Sequence, residues 1–167
     1  MSTVIDANVL IALFSDKTDD ARGIRVKGLL EDARKLRQRL FVPTPALSEF
    51  AAKAHTEELE FIQSQLTFRV VPFAAKAALE CGELFRTWVT GGDKTDRHKA
   101  KFDMQIVAIM KAVNATLLIS GDKNLRNRAK EQGIPAMDIL ELDIPDSSRQ
   151  TDLFKDSPEE DPAQMAE

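Results

Sequence analysis

Cysteine and histidine are scarce in this chain of 167 residues. Cys81 is the only cysteine, so the chain cannot form an internal disulfide, and its place in a helical apolar pattern predicts a buried thiol. His55 and His98 are the only histidines, and they lack the spacing of imidazole ligands that share a metal. Metal chemistry in this chain would therefore depend on carboxylates.

The chain also lacks an apolar run of membrane-spanning length. Its first residues, MSTVIDANVLIALF, carry neither the basic flank nor the small-residue cleavage site of a secretory signal. We therefore expect a cytoplasmic protein with no membrane partner. The hydrophobic content of 43% suits one sizeable core at this length, which predicts a single domain over residues 1–144.

Short apolar runs alternate with helical patterns along the chain. Strands are predicted at 3–5, 40–42, 68–71, 116–119 and 136–140. Helices are predicted at 7–14, 21–39, 56–66, 74–89, 100–113 and 123–132, with another that starts near Pro43 and takes Thr44 as its N-cap. This alternation predicts an α/β fold with three layers, in which a central parallel sheet lies between two layers of helices.

Asp103 occupies an unusual position for an acid. In the helix predicted at 100–113 it falls within one broad apolar arc, formed by Phe102, Ile106, Val107, Ile109, Met110 and Val113. An ionised carboxylate on a stripe that faces the core is costly unless a cation, strong donors or a metal compensates it. A divalent metal is one candidate partner, and a salt bridge to Lys99 or another base is the other.

Three further acids lie at element boundaries. Asp6 and Asp122 lie shortly after predicted strands, where ligand sites form in parallel sheets, although each also fits the N-cap of the next helix. Glu49 points away from the apolar face of its helix, and alone it would be a solvated surface acid. Four acids gathered at one cleft would repel each other, and divalent cations between them would relieve that repulsion.

Four segments of the chain resemble the PIN domain family of metal-dependent nucleases, which includes the VapC-type toxins of bacterial toxin–antitoxin pairs. They are residues 4–10 (VIDANVL), 45–50 (PALSEF), 102–108 (FDMQIVA) and 118–122 (LISGD), and the resemblance extends over residues 1–142. It implies catalytic and metal-binding roles for four acids, Asp6, Glu49, Asp103 and Asp122, supported by Asn8 and Ser120. Ala7 departs from the family pattern, which more often has Ser or Thr there.

The resemblance implies a toxin endoribonuclease in which Mg²⁺ or Mn²⁺ activates water for attack on an RNA phosphodiester. Asp6 and Asp103 are then the principal ligands, while Glu49 and Asp122 hold a second ion or orient bound water. A cognate antitoxin and a homodimer are further partners that it implies. Two alternatives stay open: an aspartyl phosphotransferase, which Asn8 disfavours because that class resembles Asp-x-Asp, and a non-catalytic interaction module on the same fold.

Acidic residues are concentrated near the carboxyl terminus. Residues 145–167 contain seven acids and two bases, so the formal net charge of −4 becomes +1 for residues 1–144. This composition predicts a flexible, disordered tail. Within it, Gln150, Leu153 and Phe154 resemble the Gln-x-x-Leu-Phe peptide that docks bacterial proteins on the DNA polymerase sliding clamp. Folding of the tail onto its own domain is the alternative.

Overall fold

A parallel sheet of five strands lies at the centre of the computed structural model, which describes residues 2–15, 20–90 and 97–145. The strands are β1 (Thr3–Ile5), β2 (Leu40–Pro43), β3 (Phe68–Val71), β4 (Leu117–Ile119) and β5 (Ala136–Met137). Their order is β3-β2-β1-β4-β5. The chain therefore moves outward from β1 in one direction and later in the other, which makes the β1–β4 boundary the topological switch point where ligand crevices form.

Helices connect these strands. Within the described ranges they are α1 (Ala7–Leu13), α2 (Ala21–Lys35), α3 (Thr44–Ala51), α4 (Thr56–Ser64), α5 (Ala75–Thr90), α6 (Arg97–Ala112) and α7 (Lys123–Glu131), followed by a 3₁₀ turn (Ile139–Glu141). The predicted fold class, α/β with a central parallel sheet between helical layers, is confirmed. No helix in the described part of the chain combines the length and apolarity needed to cross a bilayer.

Several predicted boundaries were wrong, including the start of α6, which lies at residue 97 rather than 100, and three of them have a clear local reason. Helix α2 ends at Lys35 rather than residue 39, because Arg37 adopts a left-handed backbone (φ 52°) that closes the last turn. Thr44 is not an N-cap: Pro43 holds that position, and Thr44 Oγ1 accepts a hydrogen bond from the Phe73 backbone N–H (3.1 Å). The last strand stops at Met137, since the Asp138 side chain caps the 3₁₀ turn by accepting from the Leu140 N–H (3.0 Å).

Helix α6 is buried on two sides rather than one. Ile106, Val107 and Met110 belong to the main core with the sheet, while Met104 and Ala108 pack in a second cluster with Cys81 of α5. The buried thiol predicted for Cys81 is confirmed, since Cys81 is 4% exposed. The prediction that Phe102 faces the core is wrong. Phe102 is 52% exposed, because it lies on the side of α6 that contacts neither of these two clusters.

The carboxyl end of the described chain lies against α2. A Cβ atom added to Gly28 would lie 2.9 Å from Pro145 Cγ, so the glycine permits this close approach. The predicted boundary between a domain at 1–144 and a tail at 145–167 stays a prediction. Gln150, Leu153 and Phe154 lie outside the described residues.

We predict that Leu118→Ala in β4 lowers the free energy of unfolding by about 2 to 5 kcal/mol, because the fully buried side chain leaves a cavity in the central sheet. Urea denaturation at neutral pH measures this loss. Leu66→Ala is the control, because Leu66 is 88% exposed and its truncation should change stability by no more than about 0.5 kcal/mol. Equal losses for both variants would contradict the assignment of β4 to the core.

Candidate active site

Asp6 stands directly after β1, at the switch point of the sheet. The register pairs Ile5 with Ile119, and the Asp6 backbone N–H donates to the Ile119 carbonyl (3.3 Å), so Asp6 lies beside the end of β4. By position Asp6 is the N-cap of α1, as expected. Its carboxylate, however, turns across the sheet, and Oδ2 accepts hydrogen bonds from Ser120 Oγ (2.9 Å) and Asn8 Nδ2 (2.8 Å).

Ser120 and Asn8 connect the ends of β1 and β4. The fully buried Ser120 hydroxyl donates to Asp6 and accepts from the Asp122 backbone N–H (2.9 Å). The Asn8 carboxamide donates to Asp6 through Nδ2 and accepts from the Gly121 N–H through Oδ1 (2.7 Å). Both side chains therefore fix the orientation of Asp6 relative to the loop that leads into α7. Their supporting role in catalysis stays a prediction.

Asp122 begins α7 as its N-cap. Its Oδ1 accepts from the backbone N–H groups of Asn124 (2.8 Å) and Leu125 (3.4 Å), so the capping interpretation of this acid is correct. Capping does not exclude a second role, because a carboxylate has two oxygens and several lone pairs. The N-terminus of α7 also carries a partial positive charge, which favours an anion at this position.

The electrostatic environment of Asp6 links three of the four acids. Burial raises the pKa of Asp6 above its ordinary value of 3.8, because the ionised form loses water. Hydrogen bonds from the Ala7 backbone and from Ser120 oppose this rise, whereas the negative charges of Glu49 and Asp122 add to it. The charges of Glu49 and Asp122 therefore both act on Asp6 at the switch point, although Glu49 itself is exposed on α3.

Asp103 is buried near the start of α6 and contacts a cation. Its Oδ2 lies 3.5 Å from Arg128 Nε of α7, and the two side chains are only 9% and 14% exposed. The contact is an ion pair that is longer than a good hydrogen bond. Arg128 is thus the base that the salt-bridge alternative required, and the Lys99 side chain lies outside the described residues.

Two arginines of α7 are site residues that the sequence analysis missed. Besides Arg128, Arg126 donates through Nη1 to the Ser120 carbonyl (2.6 Å) and lies 2.7 Å from Asp138 Oδ2. The helical wheel contains a signal for both arginines, since Arg128 lies about 60° from Leu125 and Arg126 about 60° from Ala129, on either side of the buried stripe of α7. A base at the edge of a buried stripe requires an acidic partner, just as the acid Asp103 on α6 requires a basic one.

The donor chemistry of the site fits a hard divalent cation, because its acids offer only carboxylate oxygens. These acids are spread more widely than the ligands of a complete coordination shell. Among residues 2–15, 20–90 and 97–145, no three His, Cys, Asp or Glu side chains are placed together so that they could hold one ion. The metal-binding and catalytic roles of Asp6, Glu49, Asp103 and Asp122 stay predictions.

We predict that Ser120→Ala destabilises the protein by about 1 to 3 kcal/mol, because the Asp6 carboxylate and the Asp122 N–H both lose a buried hydrogen-bond partner. Urea denaturation at neutral pH gives the difference from the unsubstituted chain. Ser48→Ala on the exposed side of α3 is the matched control and should be nearly neutral. A neutral result for Ser120→Ala would show that these bonds contribute little.

The raised pKa of Asp6 predicts that Asp6→Asn stabilises the protein in metal-free buffer at neutral pH. The folded state binds a proton at Asp6 more tightly than the unfolded chain, so this contribution is complete below pH 3.8 and is lost as pH rises through the folded pKa. The advantage of the variant should therefore shrink as pH falls toward 3.8. Urea denaturation across this pH range measures it, and a variant that is less stable at neutral pH would contradict the prediction.

Comparison with known proteins agrees with this architecture. The chain matches the family model of the PIN domain over residues 3–131. No curated protein sequence matches it. Its fold is similar to that of VapBC2 from Rickettsia felis bound to a promoter DNA fragment, with a TM-score of 0.61 and 18% identity over 83% of this chain and 98% of the other.

Two further solved structures share the fold. FitAcB from Neisseria gonorrhoeae has a TM-score of 0.59 and 15% identity, with 84% of this chain and 99% of the other covered. VapC20 of Mycobacterium tuberculosis, a toxin that cleaves the sarcin-ricin loop, has a TM-score of 0.53 and 16% identity, with 76% and 95% covered. With the family match extending from β1 through α7, this chain belongs to the PIN domain family.

Proposed function

We propose that this protein is a cytoplasmic endoribonuclease that depends on Mg²⁺ or Mn²⁺ and acts as the toxin of a type II toxin–antitoxin pair. The observation that carries the proposal is the buried Asp6 carboxylate, held by Ser120 and Asn8 at the switch point and electrostatically coupled to Glu49 and Asp122. Family membership and the fold shared with VapBC and VapC toxins support it.

Asp6 and Asp103 would be the principal metal ligands in this proposal, and Glu49 and Asp122 would hold a second ion or bound water. The bound cation would supply an activated water for in-line attack at phosphorus and would stabilise the leaving oxygen. Burial is the main cause of the raised pKa of Asp6, and repulsion by Glu49 and Asp122 adds to it. That repulsion supports this assignment, because a divalent cation between the acids would convert it into attraction.

The residues around the acids would orient them for this chemistry. Ser120 and Asn8 prevent free rotation of the Asp6 carboxylate, since both donate to Oδ2. Arg128 restricts the Asp103 side chain through their ion pair. Helix α7 begins just after the loop that contains Ser120 and Gly121, so the partial positive charge at its N-terminus would favour the charge of a nearby RNA phosphate. Supporting residues of this kind typically contribute about 10- to 100-fold in metal affinity or activity.

The test is cleavage of a mixed pool of structured and single-stranded RNA by the purified full chain. We predict cutting with Mg²⁺ or Mn²⁺, none with EDTA, and a loss greater than about 100-fold in Asp6→Asn and in Asp103→Asn, because losing a ligand should cost more than losing a supporting residue. Circular dichroism checks that both variants are folded.

Asp32→Asn is the matched control for these variants. Asp32 is an acid of α2 with a side chain 69% exposed, and its only described ion pair is a 3.9 Å surface contact with Lys35. Its substitution should leave cleavage unchanged. Cutting that persists in folded Asp6→Asn and Asp103→Asn would refute the proposed site, and the same pool replaced by DNA tests the preference for RNA.

A non-catalytic interaction module is the second candidate, and one observation favours it. The ion pair between Arg128 and Asp103 balances the buried acid without a metal. Such a module would bind no Mg²⁺ or Mn²⁺ in calorimetry and would cut no RNA. Its proposed partner is the DNA polymerase sliding clamp, through Gln150, Leu153 and Phe154, and clamp binding lost in Phe154→Ala would support that reading.

A cognate antitoxin and a second copy of the chain are the protein partners that we propose for the toxin. The support is that solved structures with the same fold include VapBC proteins bound to DNA and the toxin VapC20. A groove of about 460 Å³ between α1, α3 and α4 offers a place for a partner segment. It is lined by Ile11 and Phe14 and reaches Asn8, so a bound segment would lie close to Asp6.

A further inference from the structure

We infer that the cavity between α5, α6 and α7 binds one unpaired nucleobase of the RNA strand and thereby sets the sequence preference of cleavage. This inference rests on the proposed nuclease function. The cavity has a volume of about 420 Å³. That volume lies within the range of roughly 300 to 1,000 Å³ typical of small-ligand pockets. A single base on a phosphodiester chain is an occupant of suitable size.

One wall of the cavity is apolar and contains an aromatic ring. Leu84 and Trp88 come from α5, and Met104 and Val107 come from α6. Trp88 is half-buried and is packed edge-to-face against Phe85, with ring centroids 6.2 Å apart. This packing limits the motion of the indole. Unpaired bases bind proteins largely by stacking on such rings, so the wall suits the faces of a base.

The part of the cavity rim formed by α7 and the residue just beyond it carries carboxamides. Asn124 and Asn127 of α7 and Gln132 just beyond it line the cavity, and all three residues are exposed. Each carboxamide offers donors and an acceptor, which are the groups that read the edge of a base. A cavity with an apolar wall and a rim of amides therefore matches a molecule with an apolar face and a polar edge.

The cavity adjoins the proposed catalytic acids. Arg128 lines it and contacts Asp103 at 3.5 Å, while the Asn124 backbone N–H donates to Asp122 Oδ1 at 2.8 Å. A strand cut at these acids would thus place a neighbouring base at the cavity mouth. Glu131 lines the same cavity, and the positive charge of Arg128 is already balanced by Asp103. This charge balance favours a neutral base over a phosphate as the occupant.

The composition of the chain provides a specific reporter. Trp88 is the only tryptophan and tyrosine is absent, so tryptophan fluorescence reports on this cavity alone. We predict that RNA trimers of a single base, titrated into the full chain in EDTA, change this fluorescence saturably and that their affinities differ by about fivefold or more between bases. A trimer with the same backbone but without bases should leave the fluorescence unchanged.

Variants on the rim complete the test. Asn127→Ala should weaken binding of the preferred trimer by about fivefold or more and flatten the preference among bases, because one edge contact is lost. Gln63→Ala is the matched control, since Gln63 is an exposed carboxamide on α4. A response to the base-free trimer equal to that of the others, or Asn127→Ala binding like the unsubstituted chain, would overturn the inference.

Binding in EDTA separates this inference from the proposed nuclease. Base-selective fluorescence changes in a protein that never cuts RNA would support the cavity as a base site and refute the nuclease. Metal-dependent cutting without any base-selective change would support the nuclease and refute the base site. Where both are present, Asn127→Ala should also shift the sequence at which RNA is cut.

Discussion

The buried carboxylate of Asp6 is the constraint on which the rest of the site depends. Removing an acid from water is unfavourable, and here the surroundings include two more acids, Glu49 and Asp122. The fold compensates part of the cost with donors from Ser120 and Asn8. The Ser120 donor reaches Asp6 only because β1 and β4 are neighbours in register, so the geometry of the acid depends on the sheet order.

Helix α7 provides two arginines that form ion pairs with acids near the switch point. Residues two apart on a helix point about 200° from each other, so Arg126 and Arg128 contact different partners. Arg126 reaches the Ser120 carbonyl and Asp138, and Arg128 reaches Asp103. Between the two arginines, the buried side chains of Leu125 and Ala129 pack the helix against the core. Arg128 therefore stabilises an acid of the site, while Arg126 connects the residue after β4 to the start of the 3₁₀ turn.

Much of the fold could be predicted from local patterns. Asp6 and Asp122 follow short apolar runs, and an acid within the apolar arc of α6 was enough to identify Asp103 as buried. The partner of Asp103 was not predictable, because Arg128 belongs to another helix and only tertiary packing brings them together. The prediction for Phe102 failed for a similar reason. Helix α6 packs against both the sheet and α5, so its two buried sides do not form the single apolar arc that was assumed.

The proposed base site and the proposed catalytic acids both depend on the position of α7. Its first residue is preceded by Asp122, its interior supplies Arg128 to Asp103, and its outer side carries Asn124 and Asn127 at the cavity. A small shift of this helix would move all of these groups together. The Ser120 hydroxyl fixes the start of that helix, because it accepts from the Asp122 N–H while it donates to Asp6. One buried hydroxyl therefore couples the orientation of the acid to the position of the surface that would read the base.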